Sequence, residues 1–330
     1  MDVVKITVKV INLLGNKGYD IFRSIALKKN RTWLVNRCDL YRFYLGKTQK
    51  EISSYTEITR FTKGLYDYQY FNIFFFNDVL SFILESIAEK KIPRIEIKNE
   101  KGENIWEWFF EQPYEKIDTS CMKEVEEKNE RTVVFPQFHE IYSDYAVKIW
   151  GELYRSFFQL NKDTEEYILN ETKKIFQKTD NILAVLCRGT DYTICKPKGH
   201  PVQPEIEDML KEIKRVIAEK GYEYIYLATE DGEIDRTFRK EFPGRILINK
   251  RTYYDDIFRQ SQLQWIKDVH FERENDEYLK GLEYLSSLYI VSQCKALIAG
   301  NCGGSQMAVF LNGGRYEYEH VFDLGMYGEE

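Results

Sequence analysis

The chain is poor in the residues that hold metals or disulfide frameworks. It has six cysteines and four histidines in 330 residues. No two cysteines form a CxxC pair, and the histidines are scattered, so no metal site is expected. Cys187 and Cys294 sit in apolar runs and read as buried thiols, which fits a reducing compartment. A basic excess is also lacking: the net charge is −6 and the isoelectric point about 5.6. Phosphate backbones are gripped by clustered Lys and Arg, so the charge argues against a general nucleic-acid binder. Net charge says nothing about one local anion pocket. Long hydrophobic runs are missing too. The most apolar stretch, "YFNIFFFNDVLSFIL", is broken by Asn72, Asn77 and Asp78 and is too short to span a bilayer. Lys5 and Lys9 interrupt the N-terminal apolar run, and no small-residue cleavage site follows, so it does not read as a signal peptide. A cytoplasmic protein with no stable membrane insertion is expected. There is no internal repeat, no low-complexity tract, no GxGxxG and no GK[ST].

What is present is a chain of globular composition, 43% hydrophobic and 30% charged. Its length exceeds one ordinary core and points to two domains. In the first half, alternation in "VVKITVKV" predicts a strand. "NDVLSFILESIAEKK" places Val79, Leu80, Ile83, Leu84 and Ile87 at helical spacing, with Asn77 or Asp78 as the cap. "RIEIK" after Pro93 predicts a strand, and "NIWEWFFEQPYE" an aromatic anchor. "CMKEVEEKNERT" reads as a solvated loop or short helix. Two helices follow. One buries Val147, Trp150, Leu153, Tyr154 and Phe157, and the other is capped by Asp163 or Thr164. The domain boundary is placed near residue 178.

The second half alternates strand and helix: "ILAVLCRG", "EIEDMLKEIKRVIAEKG", "YIYLATED", "EIDRTFRKEFPG", "RILINK", "DEYLKGLEYLSSLYIVSQC", "KALIAG" and "SQMAVFLN". Continuous apolar strands between amphipathic helices predict a doubly wound parallel sheet. Ligands of such sheets bind beyond the carboxyl ends of the strands. That geometry gathers "RGTDY", "TED", "GNCGGSQ" and the loop "KPKGHPVQP" at one edge.

Each candidate at this edge has two readings. Arg188 is a permanently charged fork suited to phosphate oxygens, or a structural ion-pair partner of Asp191. Gly304, Ser305 and Gln306 open a helix whose free N–H groups attract phosphate, or they form an ordinary capped turn. Glu230 and Asp231 accept from ribose hydroxyls or from Arg188, or Asp231 caps the next helix. His200 donates to a phosphate or shuttles a proton, or is an exposed turn residue. Lys196 and Lys198 form a cationic clamp, or are plain surface lysines.

Taken together and in order, "LCRGTDY", "GHPVQPEIEDML", "YLATEDGEI" and "GGSQMAVFL" resemble the motifs of GDP-fucose-dependent fucosyltransferases. The likeness is to the α1,6 and Nod-factor type and, more distantly, to protein O-fucosyltransferases. It covers about residues 145–312 and includes the helix pair "VKIWGELYRSFFQLNKDTEEYILNETKKI". The resemblance implies a two-domain, GT-B-like α/β glycosyltransferase. Residues 1–178 would form the acceptor-side domain and residues 179–330 a Rossmann-like nucleotide-sugar domain. The reaction would be inverting and metal-independent, with no cofactor, a GDP-sugar as donor and a glycan as acceptor. The resemblance puts Arg188 on the arginine that meets the phosphates, with Thr190 beside it. It puts Ser305 and Gln306 on the phosphate-binding pair and Asp191 on the motif's acidic residue. Asp191 is the nearest candidate for the general base, and a carboxylate of the first domain is the alternative. This chain departs from the family at four places: Leu186 replaces the histidine that opens the motif, and Gly189 replaces its second arginine. Ser287 falls at the aspartate that reads guanine, and Lys196 at the loop base. A non-catalytic nucleotide-sugar binder and an enzyme using another nucleotide-sugar are the alternatives.

Overall fold

The computed structural model describes residues 18, 21–29, 52–62, 73–125, 144–261 and 263–328. The strand expected in "VVKITVKV" lies outside them. The described residues divide into two compact units, those of 1–67 with 74–159 and those of 68–73 with 160–330. The division thus falls between Gln159 and Leu160 rather than near residue 178. The reason is packing: the helix Lys162–Ile175 lies against a helix of the second unit, Asp276–Gln293.

The first unit carries a three-stranded parallel sheet of order β2-β1-β3, with β1 Glu57–Phe61, β2 Lys91–Ile95 and β3 Lys123–Val125. Strand β2 begins before Pro93 rather than after it. Pro93 pairs with Thr59. As an edge strand, β2 accommodates a residue with no N–H. Strand β3 comes from a segment read as loop or helix. It is short and largely exposed, so its charges obscured it, and Arg60 of β1 binds Glu124 across the pair. Helix α1, Ile73–Ala88, buries Val79, Leu80, Ile83, Leu84 and Ile87 as predicted. It starts earlier than its expected cap. Asn77 lies inside it and accepts from the Tyr154 hydroxyl of α2, Asp144–Phe157. The aromatic anchor is real: Trp106 and Phe110 pack edge-on against Phe158, and Phe76 closes the cluster.

The second unit is built on five parallel strands of order β6-β5-β4-β7-β8: β4 Ile182–Leu186, β5 Tyr224–Ala228, β6 Ile246–Leu247, β7 Ala296–Gly300 and β8 Tyr318–Phe322. Strands β4 and β7 are central and buried along their whole lengths. Alternate residues serve opposite faces. Leu183, Val185, Ile225, Leu227, Ala296 and Ile298 pack with Met209, Ile213 and Val216 of α5, Ile206–Lys220, and Phe238 of α6, Gly232–Glu241. On the other face, α8, Asp276–Gln293, packs against β4 and β5 and against α9, Gly303–Asn312. This is the doubly wound Rossmann-like sheet expected. The remaining helices are α3, Lys162–Ile175, α4, Thr190–Ile194, and α7, Asp255–Gln260. Helix α3 is capped by Asn161, whose side chain accepts from the Thr164 N–H, not by Asp163 or Thr164. Strand β8 is an edge strand with an irregular polar sequence, which left no pattern to predict it.

Chain order reverses between β4 and β7. From β4 the chain runs outward to β5 and β6, then crosses back to β7 and β8 on the other side. A crevice at the strands' carboxyl ends follows from that reversal. The loop "KPKGHPVQP" leaves α4 and is tied down by the C-terminal segment. The N–H of Gly199 donates to Tyr327 O at 2.8 Å, that of Tyr327 to His200 O at 2.9 Å and that of Val202 to Gly325 O at 2.9 Å. Gln203, 5% exposed, donates to Asn301 O at 2.7 Å at the end of β7. No helix among the described residues is long and apolar enough to cross a membrane.

Truncation after Phe322 should loosen this loop while leaving the sheet folded. Amide exchange at Gly199 and Val202 is expected to rise about tenfold or more, the scale of losing one good hydrogen bond. Amides of β4 and β7 should stay protected in the same experiment. Unchanged exchange in the loop would show that the strap does not hold it.

Candidate functional site

Strand β4 ends in Leu186 and Cys187, and the chain then turns sharply into the short helix α4. Arg188 sits in this turn with 16% of its side chain exposed. Its Nη2 donates to Asp191 Oδ1 at 2.6 Å, and its Nε lies 3.2 Å from Glu230 Oε1. The guanidinium also stacks 4.7 Å from the Tyr192 ring. Burial by itself would lower the Arg188 pKa. The charges of Glu230 and Asp191 outweigh it and hold the group well above its ordinary value. Burial pushes the Tyr192 phenol up to about 12, against the opposing pull of Arg188.

Glu230 follows β5 and ties its loop to the loop after β4. Its Oε1 accepts from the Gly189 N–H at 2.9 Å and the Thr190 hydroxyl at 3.1 Å, besides facing Arg188. Every one of these contacts falls on the same oxygen. Asp231 turns the other way. It caps α6 through the Glu233 N–H at 2.8 Å and the Ile234 N–H at 3.3 Å, and Arg259 binds its outer oxygen at 2.8 Å. Burial raises the Asp231 pKa, opposed by those N–H groups and Arg259.

A pocket opens over the ends of β4, β5 and β7, with an empty volume of about 570 Å³ that includes space open to solvent. Leu186, Arg188, Glu230, Cys302 and Gly304 line one side. Lys280, Glu283, Tyr284, Ser287 and Leu288 line another. These five recur at helical spacing, so they form one face of α8. Arg251, after β6, and Tyr254 complete the far wall. The ionisable lining holds three cations, Arg188, Arg251 and Lys280, against two carboxylates, Glu230 and Glu283. An acidic chain therefore carries a cation-rich pocket, and α9 points its N-terminus at it through Gly304.

Several predicted residues do not face this space. Asp191 is 2% exposed and accepts from Arg188, from the Tyr192 N–H at 2.9 Å and from the Ile266 N–H at 3.2 Å. Its geometry is that of a residue positioning Arg188 and the 3₁₀ turn Ile266–Asp268, not of a base facing substrate. Ser305 is 1% exposed. Its hydroxyl donates to Cys302 O at 2.9 Å and accepts from the Cys302 N–H at 3.0 Å, so it is spent on the turn into α9. Gln306 lies outside the pocket lining, with a buried Nε2 that has no hydrogen-bond partner. Thr190 is fully buried behind Glu230. His200 packs between Tyr192 and Trp265, at 5.4 and 5.2 Å between ring centroids, and does not line the pocket. Lys196 and Lys198 are exposed beside it. Of the predicted set, Arg188, Glu230 and Gly304 meet in the pocket.

The residues that sequence reasoning missed are Arg251, Lys280, Glu283 and Tyr284. Lys280 is 1% exposed, donates to Val269 O at 2.8 Å and lies 3.5 Å from Asp276. Glu283 binds Arg273 at 2.7 Å and accepts from the Thr252 N–H at 3.2 Å. A signal for two of them was available: Lys280 and Glu283 share one stripe of α8 with Ser287. Arg251 left none, because the loop after β6 has no period. Among the described residues no group of His, Cys, Asp and Glu could hold a metal ion.

The closeness of the two loops depends on Gly189. A Cβ there would collide with the Asp231 carboxylate. Gly189→Ala should therefore destabilise the protein by about 1–3 kcal/mol, the usual cost of overpacking. The check is a lower unfolding midpoint, and an unchanged midpoint would mean that the loops separate without cost.

No family model matches the sequence, and no curated protein matches it. Solved structures do. NodZ α-1,6-fucosyltransferase soaked with GDP-fucose is 14% identical, over 83% of this chain and 97% of that one, with a TM-score of 0.44. Fucosyltransferase NodZ from Bradyrhizobium is 12% identical, over 78% and 93%, with a TM-score of 0.41. POFUT1 in complex with GDP is 12% identical over 63% of this chain, with a TM-score of 0.38, and the match spans 56% of the POFUT1 chain. These are similarities of chain course, and the chemistry has to come from this chain's own side chains.

Proposed function

We propose that this chain is an inverting glycosyltransferase that moves fucose or a similar sugar from a GDP-sugar to a glycan acceptor, in surface polysaccharide or glycoconjugate synthesis. The observation that carries the reading is Arg188, fixed between Asp191 and Glu230 in a cation-rich pocket at the N-terminus of α9. The ordered motifs "RGTDY", "GHP", "LATED" and "GGSQ" support it, since they gather at this edge of the sheet. The family expectation of one α/β unit for donor and one for acceptor is also compatible with two units that each carry a parallel sheet.

Transfer builds positive charge on the sugar and negative charge on the departing diphosphate. Arg188 and the N–H groups at the start of α9 would stabilise the second charge with donors fixed before reaction begins. Asp191 holds the Arg188 fork in its plane. Glu230 lines the pocket and its described contacts all fall on one oxygen, so the other suits a ribose or sugar hydroxyl. The role first assigned to the Ser305 side chain passes to the backbone it organises. The reaction needs no metal and no cofactor in this scheme. A cytoplasmic setting agrees with the unpaired state of Cys121, Cys187, Cys195, Cys294 and Cys302.

One observation favours a second reading, a protein that binds a nucleotide-sugar without turning it over: the candidate base Asp191 is turned away from the pocket. Release of GDP from GDP-fucose, measured with and without glycan acceptors, separates the two readings.

Arg188→Lys should lower that release about 10²-fold or more, because lysine keeps the charge and loses the fork. It is the better variant than Arg188→Ala, which would leave two carboxylates facing each other. Near-normal release from the folded lysine variant would make Arg188 an ion-pair partner only. Chelators should leave turnover unchanged, since the phosphate charge is met by protein groups. Turnover lost in chelator and restored by a divalent ion would overturn the metal-free scheme.

A further inference from the structure

The first unit repeats, on a smaller scale, the strand arrangement that makes the pocket of the second. Its sheet is parallel, so the carboxyl ends of its strands share one edge. From β1 the chain goes to β2 on one side and later returns to β3 on the other. That reversal marks the carboxyl end of β1 as the place where such a sheet takes a ligand. Two arginines stand there. Arg60 of β1 and Arg94 of β2 are register partners, each next to the last residue of its strand. Register partners in a parallel pair point to the same face, on strands about 4.8 Å apart.

Two permanent cations side by side repel, and the carboxylates around them do not cancel both. Arg60 donates to Glu124 of β3 through Nη2 and, at 3.2 Å, through Nε, and its Nη1 lies 3.8 Å from Glu96. Glu96 is also 3.1 Å from Lys98. Arg60, Arg94 and Lys98 thus share two carboxylates, Glu96 and Glu124, and the cation left over is Arg94. No carboxylate among the described residues forms an ion pair with it. Its Nη1 donates to Pro113 O at 2.7 Å and to Pro93 O at 3.0 Å, which fixes the plane of the guanidinium. Its Nε and Nη2, the edge that takes an oxyanion side-on, have no acceptor among the described residues and are not shut off from solvent. Burial and then the charge of Arg60 lower the Arg94 pKa, and Glu115 offsets part of this. An anion brought by a ligand would relieve the repulsion. Glu124 is no obstacle to it: 61% of that side chain is exposed, and a surface pair of this kind is weak and easily exchanged.

We propose that Arg94, with Arg60 beside it, forms an oxyanion subsite of the first unit, and that the acceptor glycan is acidic, bearing a carboxylate or a phosphate. This rests on the reading of the first unit as the acceptor side and adds to it the chemical class of the acceptor.

The test uses the full chain, titrated with an oligogalacturonate, its methyl ester and mannose 6-phosphate, while the side-chain Nε–H signals of the arginines are followed by NMR. The Arg94 signal is identified by its loss in Arg94→Gln. At least one of the two anions should move it. The tighter of the two names the source of the charge, a uronate or a sugar phosphate. The methyl ester should bind about 10-fold or more weakly than the acid, the scale of losing a hydrogen bond to a charged group. Glu124→Gln removes an exposed competitor and should tighten the anion about 2- to 5-fold, with the fold unchanged. Arg188→Lys should leave the Arg94 titration as it is. An Arg94 signal that responds to neither anion, or to the ester as strongly as to the acid, would overturn the subsite and leave Arg94 a clasp for the turn at Pro113. Release of GDP from GDP-fucose is read separately. A chain that releases GDP while its Arg94 ignores both anions keeps the donor reading and loses this inference. A chain that binds an anion at Arg94 and releases no GDP keeps the oxyanion subsite and loses the acceptor assigned to it.

Discussion

The carboxylate of Glu230 is the point on which the site depends. It leaves the end of β5 and accepts from the Gly189 N–H and the Thr190 hydroxyl beyond β4, and it faces Arg188. Two adjacent strand ends are thereby tied together, and the loop after β4 takes one course. A cation at the end of an apolar strand is unfavourable unless an anion meets it in place. Here two carboxylates meet it, and the other cations that line the pocket are Arg251 and Lys280. Asp191 adds a second constraint by reaching the Ile266 N–H, which draws the segment after α7 over the pocket.

The sheet explains why these groups meet at all. Strands β4 and β7 are buried along their whole lengths, so polar groups can emerge only at their ends. Parallel pairing sends all carboxyl ends to one edge, and the reversal of strand order parts the crossovers there. Helix α8 then closes the crevice with one polar stripe on an otherwise buried helix. Lys280 and Glu283 are each satisfied by loop groups, which fixes the helix face before any ligand arrives. Rigidity of this kind suits a site that must stabilise charge as it develops.

Legibility followed length and periodicity. The apolar runs "ILAVL" and "ALIAG" and the amphipathic spacing of Met209, Ile213 and Val216 were enough for the doubly wound sheet, because burial on two faces leaves a continuous hydrophobic signal. Short or exposed edges were not legible: β3 and β8 have too few buried residues to impose a pattern. Capping was one of two readings of Asp231 and is the one the structure shows, whereas the cap at Asn161 was missed, since neighbouring polar residues compete for the same position.

Within the site, the sequence by itself determined that Arg188, Glu230 and Gly304 would lie at one sheet edge, because strand and helix periods dictate where each strand ends. Which polar groups would face the ligand and which each other was decided only by tertiary structure. Asp191 and Ser305 stand next to the right residues in the chain, yet their oxygens are taken by Arg188, the Ile266 N–H and the Cys302 backbone. Arg251 is distant in sequence from every motif, yet it lines the pocket. A hydrogen bond is made with whatever group is nearest in space and suitably oriented, and chain spacing carries no record of that.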